Sequence, residues 1–141
     1  MSKKGDSDAF SALVRFSEKL SIPEPLFRAL KENEDVLLVA TSGFKKVLMF
    51  PIQGGSVYRV KLYLDEQGLS PEFFTSLGQR TKEANMNAVY NTGVCTKETV
   101  CYWEGFFLVE GGTLDEENVK EKLSGVPNVT GVELERMVRQ D

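Results

Sequence analysis

The strongest constraint on the fold is a repeated change of hydrophobic period in the C-terminal part of the chain. Residues 58–64 alternate, with apolar side chains on one side, and this pattern predicts a half-buried strand. Ser70 and Pro71 then stand at positions typical of a helix N-cap and first turn. The predicted buried stripe of this helix consists of Phe73, Phe74, Leu77, Thr81 and Ala84.

Two neighbouring strands, a second helix and a closing strand are predicted to follow. Residues 86–94 and the aromatic-rich residues 100–109 are the two strands. Asp115 is a suitable N-cap for the second helix and Gly125 a suitable end, and residues 129–137 form the last strand. The predicted order is β-α-β-β-α-β and the predicted fold class is α+β, a ferredoxin-like antiparallel sheet with two helices on one face.

The N-terminal part of the sequence predicts a different set of elements. Residues 8–20 carry apolar side chains at helical spacing, and residues 24–31 resemble a second short helix with prolines in its first turn. Residues 36–40 and 46–50 are apolar runs on either side of a glycine-containing turn. We therefore expect a short helical pair and then a β-hairpin ahead of the ferredoxin-like unit.

The length of 141 residues suits one domain with an N-terminal elaboration. We expect residues 1–55 to form the extension of helices and hairpin, and residues 56–141 to form the ferredoxin-fold domain. The formal net charge of −4 argues against nucleic acid as the partner, because phosphate binding needs a basic surface.

The complete absence of histidine limits the chemistry available to this chain. It excludes a Ser-His-Asp triad, a Cys-His pair and imidazole metal ligands, so we expect a protein that is not an enzyme and needs no cofactor or metal. Two cysteines are too few for a disulfide framework, which favours a reducing compartment. With neither an apolar run of about 20 residues nor a signal peptide, we expect a cytoplasmic protein without a membrane segment.

Two stretches of the C-terminal part resemble a known family. Residues 65–69 (DEQGL), the helix after them and residues 84–87 (ANMN) resemble the signature of the ACT domain, a small-molecule regulatory domain. Residues 123–129 (LSGVPNV), followed by a strand, resemble the closing helix and strand of that domain. The resemblance covers residues 57–137.

The resemblance implies a non-catalytic regulatory protein that senses an amino acid or another small metabolite through a homodimer or a partner. It places the effector near an interface between domains. The candidate ligand-binding residues are Asp65, Gln67, Gly68, Leu69, Asn85 and Asn87.

The chemistry of these residue types allows two interpretations. A glycine lets the backbone approach a ligand, the following helix start offers free N–H groups, and asparagines supply donors and acceptors. Alternatively, Gly68 makes a turn and the asparagines end a helix.

The aromatic-rich strand predicts an apolar patch on the sheet face away from the helices. Tyr102, Phe106 and Leu108 lie on that face if their neighbours point into the core. Because such a patch is normally covered, we expect these three residues to form an interface with the N-terminal hairpin or a second subunit. A nucleic-acid stacking platform is the alternative.

Other features leave further alternatives open. Cys95 and Cys101 flank the connection between two strands, and are either two structural thiols, a reversible disulfide or half of a metal site. The N-terminal helices are compatible with a transcriptional regulator or another nucleic-acid-binding protein. A thiol-dependent redox or metal-responsive module is the second alternative function. The basic pairs Arg59–Lys61 and Arg80–Lys82 suggest a solvated face of the domain.

Overall fold

The computed structural model describes residues 10–15, 24, 25, 28, 35–40, 45–95 and 100–140. In this part of the chain the fold is mixed α/β, with two helices of defined bounds and two four-stranded sheets that are mainly antiparallel. The chain divides into two compact units. One comprises Met1–Gly54 with Met137–Asp141, and the other comprises Gly55–Arg136.

The first unit contains one sheet in the order β3-β2-β1-β8, and the second contains one in the order β5-β6-β4-β7. The strands of the first unit are β1 (Phe10–Arg15), β2 (Asp35–Ala40), β3 (Val47–Ile52) and β8 (Arg139–Gln140). The elements of the second unit are β4 (Ser56–Leu64), α1 (Pro71–Glu83), β5 (Asn87–Cys95), β6 (Cys101–Val109), α2 (Glu116–Ser124) and β7 (Val129–Arg136).

The prediction of a helix over residues 8–20 is wrong for residues 10–15, the part of this range that the structure describes, because Phe10–Arg15 is strand β1. This strand pairs antiparallel with β2 along its whole length and parallel with β8. Short apolar runs fit helix and strand periods equally well, and a neighbouring strand with buried side chains decides between them. In the second predicted helix, Glu24, Pro25 and Arg28 are helical, and the other predicted positions lie outside the described residues.

The predicted hairpin is present as β2 and β3, which pair antiparallel from Asp35↔Ile52 to Ala40↔Val47. Strand β3 continues two residues beyond the predicted run of residues 46–50, and Pro51 lies inside it opposite Val36. The strand tolerates it because β3 is an edge strand, where a missing N–H breaks no ladder.

The end of the chain returns to the first unit. Strand β8 lies beside β1, and the Arg139 guanidinium donates from Nε and Nη2 to the two Asp35 carboxylate oxygens at 2.7 and 3.1 Å. This bidentate pair joins the last strand to the start of β2. Residues 137–141 therefore belong to the same unit as the N-terminal strands, and the sequence had grouped them with residues 56–136.

The second unit follows the predicted order β-α-β-β-α-β, and every neighbouring pair of its strands is antiparallel. Both helices pack into one core with alternate side chains of β4 and β6. The members of this core include Tyr58, Leu62, Phe73, Trp103, Phe107 and Leu123.

The predicted helix starts are confirmed. Ser70 accepts a hydrogen bond from the Phe73 N–H at 3.1 Å, and Asp115 accepts one from the Asn118 N–H at 3.3 Å. The predicted burial of Phe74 is wrong, since its side chain is 48% exposed. Phe73, Leu77 and Thr81 form the buried stripe, and the Phe74 ring meets Phe73 edge-on at the helix surface.

The strand predicted over residues 86–94 is present as β5, and it contains a bulge. Ala88 pairs with Phe107 and Tyr90 with Phe106, which leaves Val89 as an extra residue. A bulge reverses which side chains face the core, so a strict two-residue period does not hold along this strand.

The outer face of the second sheet contains charged side chains with little solvent access. The Glu104 carboxylate is 2% exposed and lies 2.6 Å from Arg59 Nε. Lys61, expected with Arg59 on a solvated face, is also buried, and its Nζ lies 4.3 Å from the centroid of the Tyr102 ring. Charge pairing and cation–π contact compensate the loss of water at these positions.

We expect Glu104→Ala to lower the free energy of unfolding by about 3–5 kcal/mol, because it removes one partner of a buried ion pair. Glu135→Ala is the matched control, since Glu135 lies 3.7 Å from Arg59 but its side chain is 63% exposed, and its loss should cost less than about 1 kcal/mol. Urea denaturation of both variants measures the difference, and equal losses would contradict the assignment.

Candidate functional site

The structure divides the predicted ligand-binding residues into two groups at opposite ends of α1. Residues 65–69 precede the helix, and Asn85 and Asn87 follow it. Helix α1 has 13 residues and is therefore about 20 Å long. One small ligand cannot contact both groups within the same unit.

The loop before α1 is closed by its own hydrogen bonds. The Gly68 N–H donates to the Asp65 carbonyl at 3.0 Å, and the Gln67 N–H donates to Asp65 Oδ1 at 2.8 Å. The Ser70 N–H donates to the Gly68 carbonyl at 3.1 Å. Gly68 is buried with φ at +60°, so it makes the turn that the simpler interpretation assigned to it.

Asn128, between α2 and β7, holds the same loop from the side. Its Nδ2 donates to the Gly68 carbonyl at 3.0 Å and to Ser70 Oγ at 2.9 Å. Its own carbonyl accepts from the Asp65 N–H at 2.8 Å. The Asn128 backbone has φ at +75°, a conformation that asparagine adopts more readily than most residues. The backbone of the loop is thus held by hydrogen bonds within the loop and to Asn128.

A disulfide between Cys95 and Cys101 lies against this loop. The two residues are register partners at the last pair of the β5–β6 ladder. A Cβ on Gly68 would stand 3.3 Å from Cys101 Sγ and 3.8 Å from Cys95 Sγ. Of the three alternatives for these cysteines, the structure therefore has the disulfide.

Helix α1 ends in a Schellman motif. Asn85 has φ at +57°, its N–H donates to the Lys82 carbonyl at 3.0 Å, and the Met86 N–H donates to the Thr81 carbonyl at 3.0 Å. Asn85 thus has the helix-ending role of the simpler interpretation, and its side chain stays exposed.

A cleft of about 680 Å³ opens at this end of α1. Its volume lies within the range of small-molecule sites. The residues that line it are Gly78, Thr81, Lys82, Asn85, Met86, Asn87, Ala88 and Glu110. The exposed polar side chains among them are one ammonium, one carboxylate and two amides, so the cleft offers both charges and neutral donors and acceptors.

Lys82 and Glu110 are the charged residues of the cleft, and the sequence predicts neither as a site residue. Lys82 had been grouped with Arg80, whose Nη1 instead donates to the Lys122 carbonyl at 2.9 Å. Glu110 is brought near by the strand register, because Asn87 pairs with Leu108 close to the end of β6. The sequence alone does not indicate that Glu110 lies at this cleft, because that depends on the register between β5 and β6.

The predicted interface residues lie on the outer face of the second sheet. Tyr102 and Phe106 are buried, and Leu108 is half-buried. Burial of both rings disfavours the stacking platform, since a nucleic-acid base needs an exposed ring. Their role as an interface stays a prediction.

Three comparisons describe what the chain is similar to. No family model and no curated protein sequence matches it. A solution structure of the C-terminal domain of the MgtC protein from Mycobacterium tuberculosis matches with a TM-score of 0.49 and 17% sequence identity. The match covers 62% of this chain and 93% of that one, and a similarity of this extent assigns no family.

Two negative findings apply to the described residues alone. None of the helices in these residues combines the length and the apolar composition of a membrane-spanning segment. Nor do the described ranges bring together three or more histidine, cysteine, aspartate or glutamate side chains in a way that would hold a metal ion.

We expect Gly68→Ala to lower the free energy of unfolding by about 1–2 kcal/mol, because an L-residue is strained at positive φ. The added Cβ also comes within 3.3 Å of Cys101 Sγ. Gly78→Ala is the control, since a Cβ there meets no described atom within 4 Å and a helix interior prefers alanine by about 0.5–1 kcal/mol. In both thermal and urea unfolding, the midpoint of Gly68→Ala should fall and that of Gly78→Ala should rise. Shifts of the two variants in the same direction would refute the strained turn at Gly68.

The helix-ending role of Asn85 predicts a contrast between two substitutions. Asn85→Gly should leave the unfolding midpoint unchanged or higher, because glycine adopts positive φ without strain. Asn85→Ala should lower the free energy of unfolding by about 1 kcal/mol. Equal stability of the two variants, measured by calorimetry, would be inconsistent with the Schellman motif.

Proposed function

We propose that this chain is a non-catalytic regulatory protein whose second unit binds a small zwitterionic metabolite, such as an amino acid, in the cleft at the end of α1. The observation that carries the proposal is the meeting of Lys82 and Glu110 with two asparagines in one open cleft. An amino acid presents one carboxylate, one ammonium and a side chain, and the lining groups complement the first two.

Each cleft residue has a role that follows from its chemistry. The Lys82 ammonium attracts the ligand carboxylate, and the Glu110 carboxylate attracts its ammonium. Asn85 and Asn87 supply amide donors and acceptors that orient the ligand.

The second unit is, in this proposal, a ferredoxin-like domain of the ACT type. The order β-α-β-β-α-β, the sheet order β5-β6-β4-β7 and the shared core of both helices support it. The proposed ligand site differs from the one that the family resemblance implies, because Gly68 is buried and its loop is engaged with Asn128.

A regulatory role requires that the ligand bind two states of the protein with unequal affinity. We propose that these states differ in the arrangement of a homodimer or of a complex with a partner. Light scattering on the full chain, with and without saturating ligand, should show a change in mass or in hydrodynamic radius.

The test is a thermal-shift screen of the full chain against the free amino acids, followed by calorimetric titration. A ligand present at 100 times its dissociation constant should stabilise the folded state by about 2.7 kcal/mol. Lys82→Gln and Glu110→Gln should each weaken binding about tenfold or more, because each removes one charged contact. Asn85→Gly should weaken binding while the fold stays stable.

Lys120→Gln is the matched control, because Lys120 is exposed on α2 and does not line the cleft. The amide of the bound amino acid, which lacks the carboxylate, should bind Lys82→Gln and the unchanged protein alike. The proposal fails if no amino acid shifts the unfolding midpoint, or if both charge variants bind as the unchanged protein does.

A further inference from the structure

We propose that Cys95–Cys101 is a reversible thiol-exchange site for small-molecule thiols such as glutathione, and that its reduction loosens the loop of residues 65–70. The inference does not depend on the ligand cleft, which lies at the other end of α1. It follows from the unequal exposure of the two cysteines and from the position of both sulfurs within 4 Å of where a Cβ on Gly68 would stand.

The two cysteines differ in their access to solvent. Cys95 is exposed at the end of β5, whereas Cys101 is 6% exposed and belongs to the core of the second unit. An incoming thiolate must reach one of the two sulfurs, and exposure directs it to Cys95. The buried partner is then the leaving group.

The exchange balances with two equivalents of thiol. The first thiolate attacks Cys95 Sγ, a new S–S bond forms, the Cys95–Cys101 bond breaks, and the Cys101 thiolate takes a proton from water. A second thiolate attacks the sulfur of the small molecule in the mixed disulfide and releases the Cys95 thiolate, which also takes a proton from water. The products are two protein thiols and one small-molecule disulfide, so the small thiols are oxidised by two electrons.

The fold does not depend on this bond. The two cysteines are only six positions apart in sequence, so the closed loop is short and constrains little of the unfolded chain. The bond lies at one end of the β5–β6 ladder, which extends from Cys95↔Cys101 to Asn87↔Leu108 and is held by backbone hydrogen bonds along its length. A buried Cys101 thiol is also compatible with an apolar core, where free cysteine behaves as a small hydrophobic residue.

The loop before α1 is the part of the structure that detects the change. Both sulfurs lie against Gly68, and the Leu69 side chain packs where a Cβ on Gly93 would stand, 2.6 Å from Leu69 Cδ1. Two adjacent loop residues, Gly68 and Leu69, thus pack against the β5–β6 pair. Two thiol sulfurs cannot remain at the distance of an S–S bond. Reduction must therefore separate the two sulfurs next to Gly68 and change the packing of the loop against them.

The first experiment uses the full chain in glutathione buffers of graded reduced-to-oxidised ratio, quenched with acid and alkylated before mass analysis. We expect full interconversion of dithiol and disulfide within the range of these buffers. Amide hydrogen exchange in residues 65–70 should be about tenfold faster in the reduced protein, whereas exchange in α2 should be unchanged.

Two single variants test the direction of attack. In Cys101→Ser, Cys95 should form a mixed disulfide with oxidised glutathione. In Cys95→Ser, Cys101 should react at least about tenfold more slowly, with both rates normalised to those in guanidinium. Faster or equal reaction at Cys101 would refute the direction of attack.

The unsubstituted protein keeps the proposal testable if a variant does not fold. A chain that cannot be reoxidised by glutathione disulfide has no reversible site. Identical exchange of residues 65–70 in the two redox states refutes the coupling to the loop. Amino-acid binding in the cleft can persist in either outcome, so failure here is distinguishable from failure of the proposed function.

Discussion

Strand β4 occupies the centre of the second sheet, and the rest of that unit depends on its two antiparallel pairings with β6 and β7. On one face, Tyr58, Val60 and Leu62 build the core that both helices cover. On the other face, Arg59 and Lys61 are held by Glu104 and aromatic rings. Because both faces are occupied, the register of β4 cannot slip by one residue, and every neighbouring element is placed by it.

The two ends of α1 have different chemistry as a result. The N-terminal end is closed, since the loop of residues 65–70 is engaged with Asn128 and rests on the Cys95–Cys101 disulfide. The C-terminal end is open, with exposed charges of both signs. The open end therefore suits reversible ligand binding, and the closed end suits a covalent change that alters the seating of a loop.

The sequence predicted most of the second unit because local chemistry and packing agree there. The alternation of residues 58–64 and the caps Ser70 and Asp115 are local signals with a direct physical cause. The predictions failed at positions where packing or pairing with a neighbouring element determines the local structure. Phe10–Arg15 is a strand because β2 pairs with it, Phe74 is exposed because Phe73 takes the core position, and the bulge at Val89 breaks a pattern that looks regular in sequence.

By itself the sequence determined the order of elements in the second unit, the helix starts and the lack of histidine chemistry, because these depend on residues adjacent in the chain. The tertiary structure alone decided which distant groups meet. It separated Gly68 from Asn85 by the length of α1, brought Glu110 and Lys82 to the same cleft, and placed both sulfurs close to Gly68. Strand register and helix length produce these distances, and neither can be derived from the residues of the site.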